Sequence, residues 1–239
     1  MAEAELEATH QHRLRGVWRS AGWPYRDGIE LDLLAAGLLL RQWDDQGRET
    51  LRVSDTGIQA LAAMRRRNQA ALGAHEALVQ RVAQEMQRAG RLVWRRLRLR
   101  APLVAEDGST QWVMAMPDVF SIRNTTVEDY VEPVVHEIKV SRADLLADLR
   151  REAKGQAYQA LCSQCWYVVK RGIADPDEVP AFYRVIEAHE SGLAVLRAAP
   201  CRASRLSFAA WIALARATAE PCPEDDGQSA LGGSAHDPG

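Results

Sequence analysis

Two short stretches of this chain place carboxylates and an ammonium where metal-assisted hydrolysis of a phosphodiester needs them. Asp118 ends one apolar run, and the Glu-Ile-Lys sequence from Glu137 to Lys139 closes the next. Carboxylates on neighbouring strands, which lie about 4.8 Å apart, can share one Mg²⁺, a cation that prefers oxygen ligands. A nearby ammonium can orient a water or offset charge that develops on the phosphate. We therefore predict that Asp118, Glu137 and Lys139 form a catalytic set.

Lysine is rare in this chain, which carries its positive charge mainly on arginine. The lysines are Lys139, Lys154 and Lys170. A lysine ammonium is a compact, strongly hydrated point charge, whereas a guanidinium is a planar fork, so a lysine at this place favours a chemical role. Alternate residues of a strand face the same side. We expect Glu137 and Lys139 to share one face, and Ile138 to point into the core with its carbonyl available as a further metal ligand.

The elements that must position these residues alternate between strands and helices. We expect strands over 91–103, 112–122, 131–140 and 165–169, a hairpin over 185–196, and helices over 74–89, 141–164 and 207–217. The continuous apolar run over 131–140 is typical of a central strand covered on both faces. Ser141 and Asp144 have the spacing of a helix N-cap. The pattern predicts an α/β domain.

The first part of the chain has a different order of elements. Helical segments over 12–21 and 27–38 are followed by two β-like runs around an Asp-Asp-Gln-Gly turn and by a helix over 58–64. This order resembles a winged helix-turn-helix domain. A DNA-reading helix usually presents basic and amide side chains, but the segment from Asp27 is acidic and apolar. A structural or protein-contact role is favoured, and the wing and residues 65–67 are the only features that could face DNA.

The second part resembles the core of the PD-(D/E)XK nucleases, in which the acids lie on the second and third strands. The segments PVVHEIKVSRADLLADLR, YQALCSQCWYVV and VPAFYRVIEAHESGLAVLRAAP are similar to the MmcB family of bacterial DNA-repair proteins. The resemblance covers about residues 74–217. It implies a restriction-endonuclease-like core, with a mixed sheet flanked by helices, that hydrolyses DNA as an endonuclease or exonuclease in DNA repair. The chain departs from the family in its N-terminal part and in an insert over 124–132, which could widen or cover the site.

The resemblance also implies a metal site. Mg²⁺ or Mn²⁺ would be held by Asp118, Glu137 and the carbonyl of Ile138, with Glu76 as the extra acid that the superfamily often supplies from its first helix. Glu85 is the alternative to Glu76. A first-turn helix glutamate also interacts favourably with the helix dipole, and the two strand-end carboxylates could simply be salt-bridged, so structural interpretations of all these acids stay open.

Five residues are candidate DNA contacts. Lys154, Gln156 and Tyr158 fall on the helix after Glu-x-Lys, where such nucleases often place a phosphate-contacting group. An ordinary solvated helix face is the alternative. Arg95 and Arg96 belong to an arginine-rich strand that could follow a phosphate backbone, or could be the polar face of an edge strand.

Composition limits the remaining possibilities. A net charge of −2 argues against a uniformly basic nucleic-acid-binding surface. No apolar run approaches the length of a membrane span and the first residues are acidic, so we expect a cytoplasmic protein with no membrane partner. Cys162 and Cys165 have the spacing of a zinc or redox pair, but no second pair completes four ligands; buried thiols are favoured.

We therefore expect disordered ends over 1–10 and 220–239, a winged-helix-like domain over 11–70 and a nuclease-like domain over 74–217. The expected partner is DNA, and two copies could pair to cut both strands. The alternative function is a non-catalytic DNA-binding module, or a winged-helix regulatory or interaction module, that retains the nuclease fold.

Overall fold

The structure, a computed structural model, describes residues 6–105, 107–198 and 201–221. The chain divides into two compact units, and the boundary falls between Leu72 and Gly73. A single helix of 34 residues, α3 (Asp55–Arg88), passes through this boundary. The sequence predicted helices over 58–64 and 74–89 with a polar, helix-prone and proline-free connection over 65–73, and in the structure this connection continues the helix.

The first unit has the predicted order of helix, helix, hairpin and helix. It consists of α1 (Ala8–Arg19), α2 (Gly28–Ala35), β1 (Leu39–Trp43), β2 (Glu49–Val53) and the first part of α3. Leu14, Leu33 and Leu39 form the centre of its core. Residues 8–10 were predicted to be disordered but form the first turn of α1; residues 1–5 lie outside the described part of the chain.

Two acids at the start of α2 form hydrogen bonds within this unit. Asp27 caps the helix by accepting a hydrogen bond from the main-chain N–H of Glu30 at 3.0 Å. Glu30 is buried, and its Oε2 accepts the main-chain N–H groups of Tyr25 at 2.6 Å and Arg26 at 2.8 Å. Arg26 has a φ of 55°, a conformation that turns consecutive N–H groups toward one acceptor. The acidity of this segment is therefore partly structural.

The second unit contains a six-stranded mixed sheet with the order β10-β9-β8-β7-β6-β3. Its strands are β3 (Arg91–Arg95), β6 (Val119–Arg123), β7 (Val134–Lys139), β8 (Gln164–Lys170), β9 (Arg184–Ala188) and β10 (Leu193–Arg197). The β7–β8 and β8–β9 pairs are parallel and the others antiparallel. β7 is buried at every position, as its continuous apolar run predicted.

Helices cover both faces of this sheet. On one face, Val79 and Val82 of α3 pack in a core with Ile138. On the other, Tyr158 and Leu161 belong to a larger core. The remaining helices are α4 (Arg142–Leu149), α5 (Glu152–Leu161) and α6 (Phe208–Arg216). A mixed sheet flanked by helices confirms the coarse fold prediction.

Two predicted strands are each broken, and this part of the prediction was wrong. Residues 91–103 form β3 and then β4 (Leu99–Val104), while residues 112–122 form β5 (Thr110–Ala115) and then β6. The first break includes Arg96, which has a φ of 53°. The second includes Pro117, which has no N–H to donate to a ladder. At these breaks the chain leaves the six-stranded sheet and forms a separate β4–β5 hairpin.

The helix predicted over 141–164 is also broken. Ser141 caps α4 as predicted, accepting from the N–H of Asp144 at 3.2 Å. The helix ends at Leu149, because Arg151 has a φ of −92° and a ψ of 73° that no α-helix accommodates, and α5 begins at Glu152.

The insert over 124–132 lies away from the predicted site. It joins the last residue of β6, Arg123, to the start of β7. Asp118 and Lys139 lie at the opposite ends of these two strands, so the expectation that the insert widens or covers the site was wrong.

The described C-terminal residues are partly ordered against the sheet. Glu220, predicted to begin a disordered tail, donates its N–H to the carbonyl of Val93 at 2.8 Å; residues 222–239 lie outside the described residues. Cys162 and Cys165 are buried free thiols and Cys201 is an exposed one. Within the described ranges, no helix combines the length and apolar character that crossing a membrane requires.

Candidate catalytic site

The two predicted acids are brought together at one edge of the sheet. Val119 pairs with His136 in the β6–β7 register, and this pairing places the preceding Asp118 beside Glu137. The main-chain N–H of Ile138 donates to Oδ2 of Asp118 at 2.8 Å. Asp118 therefore lies at the start of β6, not at the end of a strand as predicted, but the antiparallel pairing still delivers it to the neighbour of Glu137.

Asp118 is held in an unfavourable electrostatic environment. Burial and the nearby Glu137 carboxylate raise its pKa, and the Ile138 N–H, His75 and Lys139 only partly oppose this. His75 of α3 approaches Oδ2 of Asp118 through its Nε2 at 3.4 Å. Two neighbouring carboxylates that repel each other form a place where a cation would be stabilised.

The Glu137 carboxylate lies at the centre of a buried polar network. Its Oε1 accepts from the Lys139 ammonium at 2.7 Å and from the Lys154 ammonium at 2.5 Å. Its Oε2 accepts from the Tyr158 hydroxyl at 2.8 Å. Glu137 and Lys139 thus share a face of β7, as the strand alternation predicted.

Asp148 of α4 completes this network and was missed by the sequence analysis. It accepts from Lys154 at 2.7 Å and from the Tyr167 hydroxyl at 2.8 Å, and Lys139 lies 3.3 Å away. Burial would raise the pKa of Asp148, but the two ammonium groups and Tyr167 outweigh burial and lower it. Asp148 is ionised at neutral pH, so the network holds two carboxylates against two ammonium groups.

The break between α4 and α5 makes the Asp148–Lys154 contact possible. On one continuous helix, residues six apart would point about 120° away from each other around the axis. Because the chain changes direction at Arg151, Lys154 reaches both Glu137 and Asp148. The sequence analysis predicted one continuous helix here and assigned no role to Asp148.

Lys139 is held in its charged form. Burial would lower the pKa of its ammonium, but Glu137, Asp148 and Asp118 more than offset burial and raise it. A protonated ammonium cannot accept a proton, so Lys139 could act by donating hydrogen bonds and supplying charge.

A polar cleft of about 270 Å³ opens beside the network. Its lining includes Lys139, Asp148, His75, Asp144 and Arg151. The ammonium that the sequence singled out therefore borders space that a polar ligand could enter.

The other predicted metal ligands are differently placed. Glu76 is paired with Arg96, and Glu85 with Arg88 at 2.8 Å. Among the residues that the structure describes, no group of three His, Cys, Asp or Glu side chains is arranged to hold a metal ion. The pair formed by Asp118 and Glu137 is the part of the predicted metal set that comes together.

The predicted DNA contacts are also largely engaged within the protein. Arg95 forms a bidentate ion pair with Glu220 at 2.8 and 3.0 Å. Lys154 points inward to the network, and Tyr158 is 1 % exposed. Gln156 is exposed and lines a small cleft, so of these four residues only Gln156 presents an unengaged side chain at the surface.

His136 lies on the face of β7 opposite to Glu137. It is buried and stacks on Trp166 with ring centroids 6.2 Å apart. Burial, with the Arg91 charge, lowers its pKa to about 3. It is therefore a neutral core residue and takes no part in the site.

No protein-family model matches this chain, and neither the curated proteins nor the solved structures contain a match. The geometry of the site and the resemblance seen in the sequence are therefore the two grounds for a function.

Proposed function

We propose that this protein hydrolyses DNA phosphodiester bonds with Mg²⁺ or Mn²⁺, using a restriction-endonuclease-like core of the PD-(D/E)XK type. The observation that carries the proposal is the convergence of Asp118, Glu137 and Lys139 at the ends of two paired strands, beside a polar cleft. A role in DNA repair rests on the MmcB resemblance alone. Cytoplasmic location and pairing of two copies stay predictions of the sequence.

The residues fit a hard divalent cation in their chemistry. Asp118 and Glu137 supply carboxylate oxygens, and burial together with the Glu137 charge raises the pKa of Asp118. The cation, held by Asp118, Glu137 and the Ile138 carbonyl, would polarise the phosphate and lower the pKa of a bound water. Glu76 would have to leave Arg96 to take part, so we do not include it in the set.

The protein groups have separate tasks. Lys139, being protonated, stabilises negative charge that develops on the phosphate oxygens. Glu137 and Asp148 hold the Lys139 ammonium from two sides. Lys154 and Tyr158 in turn fix the Glu137 carboxylate. The network thus orients the acid and the ammonium before substrate arrives, which is how preorganised sites lower barriers.

The test is cleavage of supercoiled plasmid, linear duplex, single-stranded and forked DNA, with Mg²⁺, Mn²⁺ or EDTA. Lys139→Met keeps the bulk of the side chain and removes its charge. Lys170→Ala removes an exposed lysine at the end of β8 and is the matched control. Metal-dependent cleavage that survives in the control and is lost in Lys139→Met supports the proposal. Cleavage by the Lys139→Met protein at the wild-type rate would contradict it.

A second candidate is a non-catalytic DNA-binding module. The observation that favours it is the saturation of Glu137, both of whose oxygens are already bonded to Lys139, Lys154 and Tyr158. This function predicts that calorimetric titration with Mg²⁺ or Mn²⁺ gives the same heat for wild type and Asp118→Ala. The nuclease proposal predicts that only wild type binds the metal.

We also propose that the first unit is a winged-helix-like module that contacts protein. The order of its elements supports this, as do exposed apolar side chains on α2 and β1, where Leu31, Leu40 and Trp43 are 57, 50 and 63 % exposed. If the module instead reads DNA, Arg65→Ala and Arg66→Ala in the full chain should weaken duplex binding. Unchanged binding is the result that we expect.

A further inference from the structure

The β4–β5 hairpin has one covered face and one open face. Its inner face, which includes Leu99, Ala101 and Ala115, belongs to the large core of the second unit, and Leu103 and Val113 pack against that core. Side chains alternate between the two faces along both strands, as strand geometry requires. The hairpin is therefore fixed in place by its inner face, and its outer face is presented on a rigid support.

The outer face combines arginine with large apolar side chains. Trp112 is 44 % exposed, and Met114 and Met116 are 62 and 52 % exposed. Arg100 lies directly across from Met114 in the register, and its guanidinium carbon lies 5.1 Å from the centroid of the Trp112 ring. Arg98, also exposed, is the preceding outward-facing residue before β4. A flat ring and two thioethers thus lie beside two cations.

Two arginines of this face have no ion-pair partner among the residues that the structure describes. No carboxylate within the described ranges pairs with Arg98 or Arg100, whereas the neighbouring Arg95 and Arg96 are paired with Glu220 and Glu76. These arginines have no acidic partner and alternate with side chains on which a ring can stack. Such a surface fits a polyanion that carries exposed aromatic rings.

Along the chain, the open face ends two residues before Asp118 of the candidate catalytic site. Met116 is its last residue, and Asp118 follows after Pro117. Arg96, between β3 and β4, donates its main-chain N–H to the Asp118 carbonyl at 3.1 Å. A polymer bound along the hairpin could therefore extend to the carboxylates of the site.

We propose that the outer face of the β4–β5 hairpin binds single-stranded nucleic acid, with bases stacking on Trp112 and the two methionines and phosphates contacting Arg98 and Arg100. A single strand is favoured over a duplex because paired bases are already stacked and do not offer their faces to a side chain, whereas unpaired bases do. The inference rests on the proposed function in that it makes this strand, or a splayed end of a duplex, the substrate of the adjacent site.

The test measures binding to the full chain in EDTA, so that cleavage does not interfere. The probe is fluorescently labelled oligothymidylate, followed by anisotropy, with a labelled duplex in parallel. Trp112→Ala should weaken oligothymidylate binding about tenfold, the effect of losing one stacked base, while Trp112→Phe should retain it. Arg100→Ala should make the slope of log K against log salt shallower by about 0.7, the value for one phosphate contact on a single strand.

Two matched controls remove exposed side chains of the same types from α6. These are Phe208→Ala, at a position 79 % exposed, and Arg216→Ala. Binding in both should equal wild type. If Trp112→Ala binds oligothymidylate as tightly as Phe208→Ala does, or if Trp112→Ala changes only self-association of the protein, the inference is overturned and the face belongs to a protein contact.

The two proposals fail in different ways. Absence of cleavage with metal, together with oligothymidylate binding that depends on Trp112, removes the nuclease and keeps the binding face. Cleavage of single strands by Trp112→Ala at the wild-type rate, with unchanged affinity, removes the binding face and keeps the nuclease. Oligouridylate serves as a further probe: equal binding assigns the face to either nucleic acid, and weaker binding assigns it to DNA.

Discussion

Two buried glutamates, one in each unit, are satisfied in opposite ways. Glu30 is bonded at Oε2 by two main-chain N–H groups, and the Arg41 guanidinium approaches Oε1 at 3.6 Å. Glu137 accepts only from side chains, namely Lys139, Lys154 and Tyr158. Both are among the least exposed polar residues described, so burial alone does not distinguish a structural acid from a candidate catalytic one.

The two glutamates differ in whether their hydrogen-bond donors can turn to another acceptor. Main-chain N–H groups are fixed by the fold, and withdrawing Glu30 would leave them without a partner inside the protein. Ammonium and hydroxyl groups on flexible side chains can turn to another acceptor, such as a phosphate oxygen. A buried carboxylate held by mobile cationic donors at the edge of a cleft is therefore able to exchange partners, and Glu30 is not.

The largest expected effect separates the two residues by activity. Glu137→Gln should lower the rate of metal-dependent cleavage by about 10³-fold, because it removes one charge from the metal site and one anchor of Lys139. Glu30→Gln should stay within about twofold of wild type. Single-turnover cleavage of the preferred DNA substrate measures both. Equal losses of cleavage rate in the two variants would show that both substitutions act through the stability of the protein and not through the chemical step.

The next effect concerns the stability of the network. Asp148→Ala leaves two ammonium groups with one carboxylate, and we expect a loss of about 4 kcal/mol in the free energy of unfolding. Combining it with Lys154→Met restores the balance of charge, so the double variant should lose less than the sum of the two single losses. Urea denaturation of the four proteins gives the coupling. Additive losses would mean that Asp148 and Lys154 do not act on one another.

A smaller loss is expected for the structural acid. Glu30→Ala removes the acceptor of the N–H groups of Tyr25 and Arg26, and we expect the free energy of unfolding to fall by about 2 kcal/mol. Cleavage below the melting temperature should be unchanged. Differential scanning calorimetry and the cleavage assay test the two halves of this prediction, and a loss of cleavage without a loss of stability would reverse the roles assigned to the two glutamates.

The smallest expected effect is a gain in stability. Burial and Glu137 raise the folded-state pKa of Asp118 above 3.8, so its ionised form costs stability as pH rises through that pKa. Asp118→Asn removes the charge and keeps an oxygen for the Ile138 N–H. It should raise stability by about 1 kcal/mol at neutral pH, abolish Mg²⁺ binding, and give no gain at pH values below about 3.8, where wild-type Asp118 is protonated. Melting curves across pH measure this, and a variant less stable than wild type at pH 7 would refute it.

Local sequence patterns were sufficient to predict the features that depend only on neighbouring residues. Strand alternation placed Glu137 and Lys139 on one face, and the Ser141 cap was predicted from its spacing. The positions at which strands and helices are broken were not predictable in this way. The breaks at Arg96 and Pro117 let the chain enter a second sheet, and the break at Arg151 follows from a backbone conformation that the helical pattern does not reveal.

The same limit applies to the site residues. Asp148 could be recognised only once the direction change after α4 was known, because its partners come from β7, α5 and β8. Arg95 and Arg96 looked like free cations in a basic strand, but their acids are distant in sequence, at Glu220 and Glu76. Pairing between residues distant in sequence decides which charged side chains stay available for a ligand. Such pairs cannot be identified from a single sequence.

The hairpin also has a consequence for handling the protein at high concentration. β5 pairs with β4 alone among the described strands, so its outer edge offers unpaired main-chain groups. Its sequence, Thr110–Ala115, contains no charged residue and no proline, whereas β4 contains Arg100 and Pro102. A neutral, β-prone edge is where an additional strand is recruited, so aggregation during purification would begin at β5, and a lysine in place of Gln111 would suppress it.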